Sequence, residues 1–343
     1  MMRAAVLVEP NQFRFEDRPV PVPQPNEVLI RLARVGVCGT DLHIFKGNYA
    51  RDNLPMVIGH ELSGTIAVLG KDVRGLRVDD KVVVDMNIGC GLCFWCRRNE
   101  VLNCPERAQL GITVDGAFAE YIAVPARLVI PAPKQMPFDV LALTEPLACV
   151  IRAARKAKIG FGQSVVVLGV GPIGHLHVQL VRAIGAAPIV AYDLNESRVS
   201  CACQFGADIG VSDLQELQSV VLEVTAGRGA DVVVECVGLP QLYQTAMQLI
   251  RKGGHLAAFG LTEAEALLPL NILRTILEEN SIKGSVAGMG QDMHDALTLL
   301  VHERINPEPL MGTDFPLGEI QSAFDSHERR IDDLKTQIVI NNG

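Results

Sequence analysis

Short apolar segments separated by glycine and proline dominate the first 143 residues. Apolar and polar residues alternate over residues 3–8, 27–33, 64–69, 81–84 and 118–124. A period of two places every second side chain on the same face, which is typical of half-buried β-strands. We therefore predict an irregular, β-rich first domain.

The pattern changes after residue 145. Buried-strand runs at 165–168, 189–192, 231–237 and 255–260 alternate with helical stretches, the clearest of which covers 173–184. This alternation is typical of a parallel sheet with helices on both faces. We expect an α/β chain in which a doubly wound domain covers residues 151–288. Residues 289–343 are expected to return and complete the first domain at 1–150.

Composition and charge restrict the function classes. The chain has 343 residues, of which 48% are hydrophobic and 20% charged, as in an ordinary globular protein of about two domains. A net charge of −8 without a basic stripe disfavours nucleic acid as a partner. No segment resembles a signal peptide or a membrane span, so we expect a cytoplasmic protein without a membrane partner.

Four cysteines form a compact motif. Two, two and seven residues separate Cys90, Cys93, Cys96 and Cys104. In a reducing cytosol such spacing favours a closed four-thiolate zinc site over two disulfides or a chance cluster, and the other five cysteines are scattered. Because a closed site leaves the metal no open position, we predict a structural zinc here.

A glycine motif lies between the first predicted strand and helix of the second domain. Gly169, Gly171 and Gly174, with Pro172 and Ile173 inside the turn, match Gly-x-Gly-x-x-Gly. The glycines allow a tight turn, close approach of a pyrophosphate and close packing of helix on strand. The alternative is that they serve packing only. The position of the motif favours dinucleotide binding.

Asp193 ends the next predicted strand, about twenty residues further on. A carboxylate there accepts hydrogen bonds from the adenosine ribose and repels a 2′-phosphate, so we favour NAD over NADP. Arg198 could contact either the ribose or a phosphate.

A second set of metal-ligand types lies in the first domain. Cys38, His60 and Glu61 are followed, at the domain junction, by Glu145, whereas Cys149 lies in an apolar stretch. Taken singly, Cys38 and His60 are ordinary core residues. Together with a structural zinc and a dinucleotide motif, they indicate an open, catalytic zinc site.

The chain resembles the zinc-dependent medium-chain dehydrogenase family, close to the sorbitol, butanediol and threonine dehydrogenases. The resemblance rests on residues 38–43, 59–64, the four-cysteine loop, the glycine turn and residues 231–238. It implies a GroES-like first domain, a Rossmann second domain and an active site in the cleft between them. It further implies that Val237 and Gly238 contact the cofactor.

The resemblance also implies a mechanism. Zinc would bind the substrate hydroxyl and lower its pKa, Thr40 would take the proton and pass it towards His43, and the hydride would move to the nicotinamide. Because the Cys38 thiolate and Glu61 already neutralise the dication, we expect Glu145 to be an exchangeable ligand or to orient a water molecule at the metal.

The substrate is predicted only by class. Residues 285–290 lack the arginine that sorbitol dehydrogenases commonly carry there, which disfavours sorbitol itself. We expect oxidation of a secondary alcohol of a polyol, sugar acid or related molecule. The alternatives are a butanediol or L-threonine dehydrogenase, and an NADH sensor without catalysis. An apolar edge strand at 280–286 predicts a homo-oligomer, either a dimer or a tetramer.

Overall fold

The chain folds as two compact units. The computed structural model describes residues 1–327 and 334–341. Unit 1 comprises Met1–Ala148, Ala287–His302 and Met311–Gly343, and unit 2 comprises Cys149–Val286 and Glu303–Leu310. No helix within the described ranges is both long and apolar enough to cross a bilayer.

Unit 1 is built on a β-sheet of seven strands. The strands follow the order β16-β17-β3-β4-β5-β9, and β8 pairs with the first half of β3. Two small antiparallel pairs, β1 with β2 and β6 with β7, complete the β structure. The strands are β1 (Met2–Glu9), β2 (Gln12–Arg18), β3 (Glu27–Gly36), β4 (Glu61–Leu69), β5 (Lys81–Val84), β6 (Asn87–Ile88), β7 (Ala108–Gln109), β8 (Tyr121–Pro125), β9 (Val129–Pro131), β16 (Asp314–Pro316) and β17 (Gln337–Val339).

Short helices connect these strands. They are α1 (Gly39–Phe45), α2 (Phe94–Arg97), α3 (Phe138–Leu141), α10 (Gln291–Val301) and α11 (Ile320–Asp325), and α4 (Thr144–Ala157) begins in unit 1. Phe324 on α11 packs against Phe13 and Phe45, with ring centroids 5.0 Å apart in both pairs. This aromatic cluster, together with the antiparallel pairing of β17 on β3, places the C-terminal segment in unit 1.

Unit 2 contains the predicted parallel sheet. All neighbours in the order β12-β11-β10-β13-β14-β15 are parallel. This is the 3-2-1-4-5-6 order of the Rossmann fold, whose ligands bind beyond the carboxyl ends of the two central strands. The elements are β10 (Val165–Leu168), α5 (Pro172–Ile184), β11 (Ile189–Tyr192), α6 (Glu196–Gln204), β12 (Ile209–Val211), α7 (Leu214–Val224), β13 (Ala230–Glu235), α8 (Pro240–Leu249), β14 (Ile250–Ala258), α9 (Ile272–Glu278) and β15 (Ser281–Gly284).

The central strand β10 is buried on both faces. Val165 and Val167 belong to one apolar core, whereas Val166 and Leu168 belong to a second core on the other face. Because each face is covered, the strand consists of an unbroken run of apolar residues without polar alternation. The predicted α/β fold, with a β-rich domain and a doubly wound domain, is confirmed.

Candidate active site and metal-binding loop

The four-cysteine loop brings its sulfur atoms together. The Sγ atoms of Cys90, Cys93, Cys96 and Cys104 all lie within 4.8 Å of one another, and those of Cys90 and Cys96 are 4.0 Å apart. A tetrahedral zinc with Zn–S bonds of about 2.3 Å separates its sulfur ligands by about 3.8 Å. All four cysteines are free, and no disulfide joins them in this structure. The loop fits a four-thiolate zinc.

Backbone amides prepare this loop for thiolates. The N–H groups of Leu92 and Cys93 donate to the Cys90 Sγ at 3.5 and 3.4 Å, and the N–H of Cys96 donates to the Cys93 Sγ at 3.4 Å. The hydrogen bonds from Leu92 and Cys93 lower the pKa of Cys90 to about 7. Desolvation raises the pKa of Cys96 to about 12, so metal binding at that sulfur would release a proton.

A buried carboxylate joins the two segments of the predicted open site. Asp41, in the first turn of α1, accepts a hydrogen bond from the Cys38 N–H at 2.9 Å and another from the Gly59 N–H at 3.2 Å. Its Oδ1 atom also lies 3.5 Å from Nδ1 of His60. Asp41 therefore joins the backbone at Cys38 to the backbone at Gly59, with its carboxylate beside the ring of His60.

His60 lies in an electrostatic environment that favours positive charge. Its side chain is buried, and the Cys38 side chain makes a hydrogen bond to it. Burial lowers the pKa of His60, but Asp41, Cys38 and Glu145 together outweigh burial and raise the pKa well above 6.5. Nδ1 of His60 has no hydrogen-bond partner among the described residues. The surroundings of His60 thus attract a cation.

Glu145 approaches this site from α4. It lies in the first turn of the helix and is 5% exposed. The positive end of the helix dipole stabilises a carboxylate at this position. A thiol, an imidazole and a carboxylate are donor types that zinc accepts, so Cys38, His60 and Glu145 are suitable in residue type for a catalytic zinc, and their ligand role stays a prediction.

The carboxylate of Glu61 forms an ion pair with a lysine. Glu61 is the first residue of β4, and Lys335 Nζ lies 2.7 Å from its Oε1 and 2.5 Å from its Oε2. Within residues 1–327 and 334–341, only the four-cysteine loop brings three or more possible ligand atoms mutually close. The ligand role of Glu61 beside Cys38, His60 and Glu145 therefore stays a prediction.

The predicted proton-relay residues lie on α1. Thr40 and His43 are three residues apart on this helix, a spacing that places both side chains on the same helix face. Both are half-buried. Their alignment on α1 is compatible with the predicted relay, which stays a prediction.

The glycine turn of unit 2 connects β10 to α5. Gly169 has φ +85°, and a Cβ there would lie 2.2 Å from Cγ2 of Val237. A Cβ on Gly174 would lie 1.9 Å from the Gly169 carbonyl oxygen. Gly171 precedes α5, and Pro172 occupies its first turn. Both contacts require glycine, and they create the close helix–strand packing of a dinucleotide turn.

Asp193 lies directly beyond β11, beside this turn. Its Oδ2 accepts a hydrogen bond from the Val170 N–H at 2.9 Å, and its Oδ1 accepts one from the Asn195 N–H at 3.0 Å. A guanidinium nitrogen of Arg198, on α6, lies 3.8 Å from the position that a Gly171 Cβ would occupy. The predicted cofactor residues of these two segments therefore lie together.

Val237 and Gly238 lie just beyond the end of the neighbouring strand β13. The Oε1 atom of the buried Glu235 accepts hydrogen bonds from their N–H groups at 3.0 and 2.9 Å. Burial raises the pKa of Glu235. The contact between Gly169 and Val237 places this loop at the point where the strand order reverses, which is the binding crevice of such sheets.

Two histidines of α5 are completely buried. Neither ring nitrogen of His177 has a hydrogen-bond partner among the described residues. The ring of His177 packs edge-on against Phe259, with centroids 5.3 Å apart. Burial lowers the pKa of His177 to about 3 and that of His175 to about 4, so both are neutral near pH 7.

Sequence reasoning missed three residues of these sites. Asp41 belongs to the motif around Cys38, and its position three residues after an N-cap was a usable capping signal. Glu235, two residues before Val237, carried a weaker signal as a charge at the end of an apolar run. Lys335 carried no such signal, because no residue near it in the sequence links it to Glu61.

Fold and sites together define the class of the protein. Residues 24–134 match the family described as alcohol dehydrogenase GroES-like domain, and residues 172–302 match the zinc-binding dehydrogenase family. The chain belongs to the zinc-dependent medium-chain alcohol dehydrogenase family.

Individual relatives agree with this class. The chain is 34% identical to a sorbitol dehydrogenase of Halalkalibacterium halodurans over 91% of each chain. It is 32% identical to an L-threonine 3-dehydrogenase of Pyrococcus horikoshii over 85% of each. The solved structure of alcohol dehydrogenase TADH from Thermus sp. ATN1 superposes with a TM-score of 0.92 at 27% identity, covering 99% of this chain and 100% of that one.

Proposed function

We propose that this protein is a zinc-dependent oxidoreductase that reversibly oxidises a secondary alcohol of a polyol, sugar acid or related small molecule to a ketone, with NAD as hydride acceptor. The observation that carries the proposal is the cluster of the half-buried Cys38 with the buried Asp41 and His60. Nothing in dinucleotide binding requires these residues, so their linkage argues against an NADH sensor without catalysis.

Two metal sites belong to the proposal. Cys90, Cys93, Cys96 and Cys104 would hold a structural zinc, whereas Cys38, His60, Glu61 and Glu145 would hold the catalytic ion. A catalytic zinc supplies Lewis-acid chemistry that lowers the pKa of a bound hydroxyl. Asp41 orients the His60 ring for this task through its contact with Nδ1.

Thr40 and His43 are assigned to the proton path. The Thr40 hydroxyl would accept the proton of the substrate alcohol while passing its own proton towards His43, whose imidazole would release a proton to solvent. An imidazole suits this role because its unperturbed pKa lies near neutral pH. Their common face on α1 supports the assignment.

NAD is the proposed cofactor, bound by Gly169, Gly171, Pro172, Ile173, Gly174, Asp193, Arg198, Val237 and Gly238. The carboxylate of Asp193 beside the turn favours two ribose hydroxyls over a 2′-phosphate. Arg198 would contact the ribose.

The proposed substrate class is based on the relatives of the chain. Two relatives are named sorbitol dehydrogenase and L-threonine 3-dehydrogenase, and sorbitol and L-threonine each carry a secondary hydroxyl beside a polar group. Residues 285–290 contain no arginine, which favours a polyol or sugar acid other than sorbitol. L-Threonine and butanediol are the runner-up substrates.

A homo-oligomer completes the proposal. Strand β15 ends the parallel sheet of unit 2, and α9 before it exposes Ile272, Leu273, Ile276 and Leu277, each by more than 60%. Exposed apolar side chains beside an unpaired strand edge favour pairing with a second copy across a two-fold axis.

A substrate screen tests the function. Polyols, sugar acids, diols and L-threonine are offered with NAD and with NADP, and reduced cofactor is followed by its absorbance. We expect turnover with NAD on at least one secondary alcohol, and about two zinc per chain. The Glu145→Gln variant should cut turnover while NADH affinity is unchanged. No turnover on any alcohol, with NADH binding intact, would favour the sensor instead.

A further inference from the structure

The carboxylate of Glu235 closes the carboxyl end of β13. Glu235 is completely buried, and its Oε1 accepts hydrogen bonds from the N–H groups of Val237 and Gly238 at 3.0 and 2.9 Å. Its Oε2 also accepts from the Gly238 N–H, at 3.0 Å. Successive N–H groups that converge in this way form an anion-binding concavity, a nest. In this protein the nest is filled by a carboxylate of the chain itself.

Glu235 also holds the loop that follows the next strand. The N–H groups of Phe259 and Gly260, directly beyond β14, donate to the Glu235 carbonyl oxygen at 3.2 and 2.9 Å. The Tyr243 hydroxyl donates to the Gly260 carbonyl oxygen at 2.6 Å. Glu235 and Tyr243 together therefore fix the loops after two neighbouring strands, β13 and β14.

These two loops pack backbone against backbone. A Cβ on Gly238, where φ is +90°, would lie 2.1 Å from the Leu261 carbonyl oxygen. A Cβ on Gly260 would lie 2.2 Å from the Gly238 nitrogen and 2.5 Å from the Glu235 Oε2. Because no side chain fits between the loops at these positions, a displacement of the carboxylate would move both loops.

The loops belong to the half of the sheet opposite Asp193. A doubly wound sheet consists of two mononucleotide-binding halves, and a dinucleotide binds across the crevice between them. Asp193 follows β11 in the first half, which is the proposed adenosine side. In the second half, the loops after β13 and β14 expose the apolar side chains of Val237 and Leu261. An exposed apolar surface at this edge suits a nicotinamide ring better than a phosphate.

We propose that Glu235 is a positioning residue for the nicotinamide half of the cofactor, assisted by Tyr243 from the side of β14. The carboxylate occupies the N–H groups that could bind a phosphate after β13, and it fixes the loops that carry Val237 and Leu261. The inference rests on the proposed function, because it presumes a nicotinamide dinucleotide at this sheet.

Equilibrium binding to the full-length protein tests the role of Glu235. NADH and ADP-ribose, which retains the adenosine and both phosphates but lacks the nicotinamide, are titrated separately by calorimetry. Glu235→Gln keeps the shape of the side chain but turns an NH₂ group towards N–H donors. We expect NADH to bind about tenfold more weakly and ADP-ribose to change by less than about twofold, because Glu235 does not contact Asp193 or its partners.

Tyr243→Phe removes the hydroxyl that holds Gly260 and leaves the ring in place. We expect it to lower the ratio of NADH affinity to ADP-ribose affinity in the same direction, by a smaller factor. If Glu235→Gln does not fold, this variant decides, and an unchanged ratio overturns the inference.

Asp231→Asn is the matched control. Asp231 lies near the opposite end of β13, where it accepts a hydrogen bond from the Ser164 N–H and pairs with Arg251. We expect this variant to lower the stability of unit 2 and to leave the affinity ratio unchanged. The inference is overturned if Asp231→Asn shifts the ratio as much as Glu235→Gln does. It is also overturned if Glu235→Gln weakens both ligands equally or neither of them.

The proposed function fails separately. If the wild-type protein binds neither NADH nor ADP-ribose, the dinucleotide site is absent, and this inference falls with it. If the wild-type protein binds both but oxidises no alcohol, the proposed activity fails while the affinity ratio still tests Glu235.

Discussion

The Nδ1 atom of His60 lies 3.5 Å from the Oδ1 atom of Asp41, in a region where both side chains are buried. A carboxylate behind a histidine ligand selects the ring orientation and raises the basicity of the nitrogen that binds the metal. Asp41 further accepts a hydrogen bond from the Cys38 N–H, so one side chain supports two proposed ligands.

Asp41→Asn should therefore weaken zinc at the open site. We expect a loss of affinity of about 10- to 100-fold, the range for partners of metal ligands. Chelator competition on the purified enzyme measures this loss. Asp85→Asn is the control, because Asp85 is a buried carboxylate of the same unit that accepts hydrogen bonds from Asn87 and Gly290. Equal zinc retention in both variants would contradict the role of Asp41.

The four-cysteine loop can be followed by fluorescence. Trp95 is the only tryptophan of the chain and lies directly before Cys96. We expect Cys93→Ser to lower the zinc content from about two to about one per chain and to shift the Trp95 emission, since the loop loses the ion that holds it. Cys203→Ser, at an exposed cysteine outside the loop, serves as control. An unchanged zinc content in Cys93→Ser would exclude the structural site.

Asp193→Ser should shift the cofactor preference. Removing the carboxylate relieves its repulsion of a 2′-phosphate and leaves Arg198 nearby. We expect the ratio of kcat/KM for NADP to that for NAD to rise by about tenfold or more, equivalent to about 1.4 kcal/mol. Asp193→Asn, which keeps an acceptor for the Val170 N–H, separates the charge effect from support of the turn. A constant ratio in both variants would refute the NAD assignment to Asp193.

The buried histidines predict acid sensitivity. Burial lowers the pKa of His177 to about 3, whereas an unfolded histidine titrates near 6.5. Below pH 6.5 the unfolded chain binds a proton that the native state does not, so stability falls as pH falls and levels off near the folded pKa. The slope reaches about 1.4 kcal/mol per pH unit for each such histidine.

His177→Leu should make this fall shallower. Denaturant unfolding at pH 7, 5.5 and 4 measures the slope, with His302→Leu, at an exposed position, as control. A slope equal to that of the wild type would show that His177 is not the group whose protonation is linked to unfolding.

The exposed face of α9 predicts assembly. A charge at its centre, in Ile276→Lys, should dissociate the oligomer, because burying an unpaired lysine in an apolar interface costs several kcal/mol. Light scattering after size exclusion gives the mass. Phe161→Lys, which alters an exposed apolar residue away from α9, is the control. A monomeric wild-type protein would contradict the proposed oligomer directly.

The parallel sheet could be predicted closely from the sequence. The apolar runs at 165–168 and 189–192 coincide with β10 and β11. The run at 231–237 was predicted two residues too long, because the N–H groups of Val237 and Gly238 turn to the Glu235 carboxylate and leave the sheet. Local apolar pattern locates a buried strand, but a side chain can end it early.

The open site was less accessible to sequence reasoning. Residue types and spacing indicated that Cys38, His60 and Glu145 are zinc ligands. Each side chain is a type that zinc accepts, and the three have few other reasons to occur together. The orientation of Glu61 could not be predicted, because it depends on Lys335, which is 274 residues away in the chain. Contacts of such separation arise from the path of the backbone and have no local motif.

The pairing of β17 with β3 determines the order in which the two units can fold during translation. All six strands of the parallel sheet precede residue 285, so a ribosome releases them before Lys335 and β17 have been translated. Unit 2 can fold while synthesis continues. The sheet of unit 1 cannot be completed until β17, near the C-terminus, has been synthesised. Uptake of the proposed catalytic ion is accordingly expected only after translation has passed residue 339.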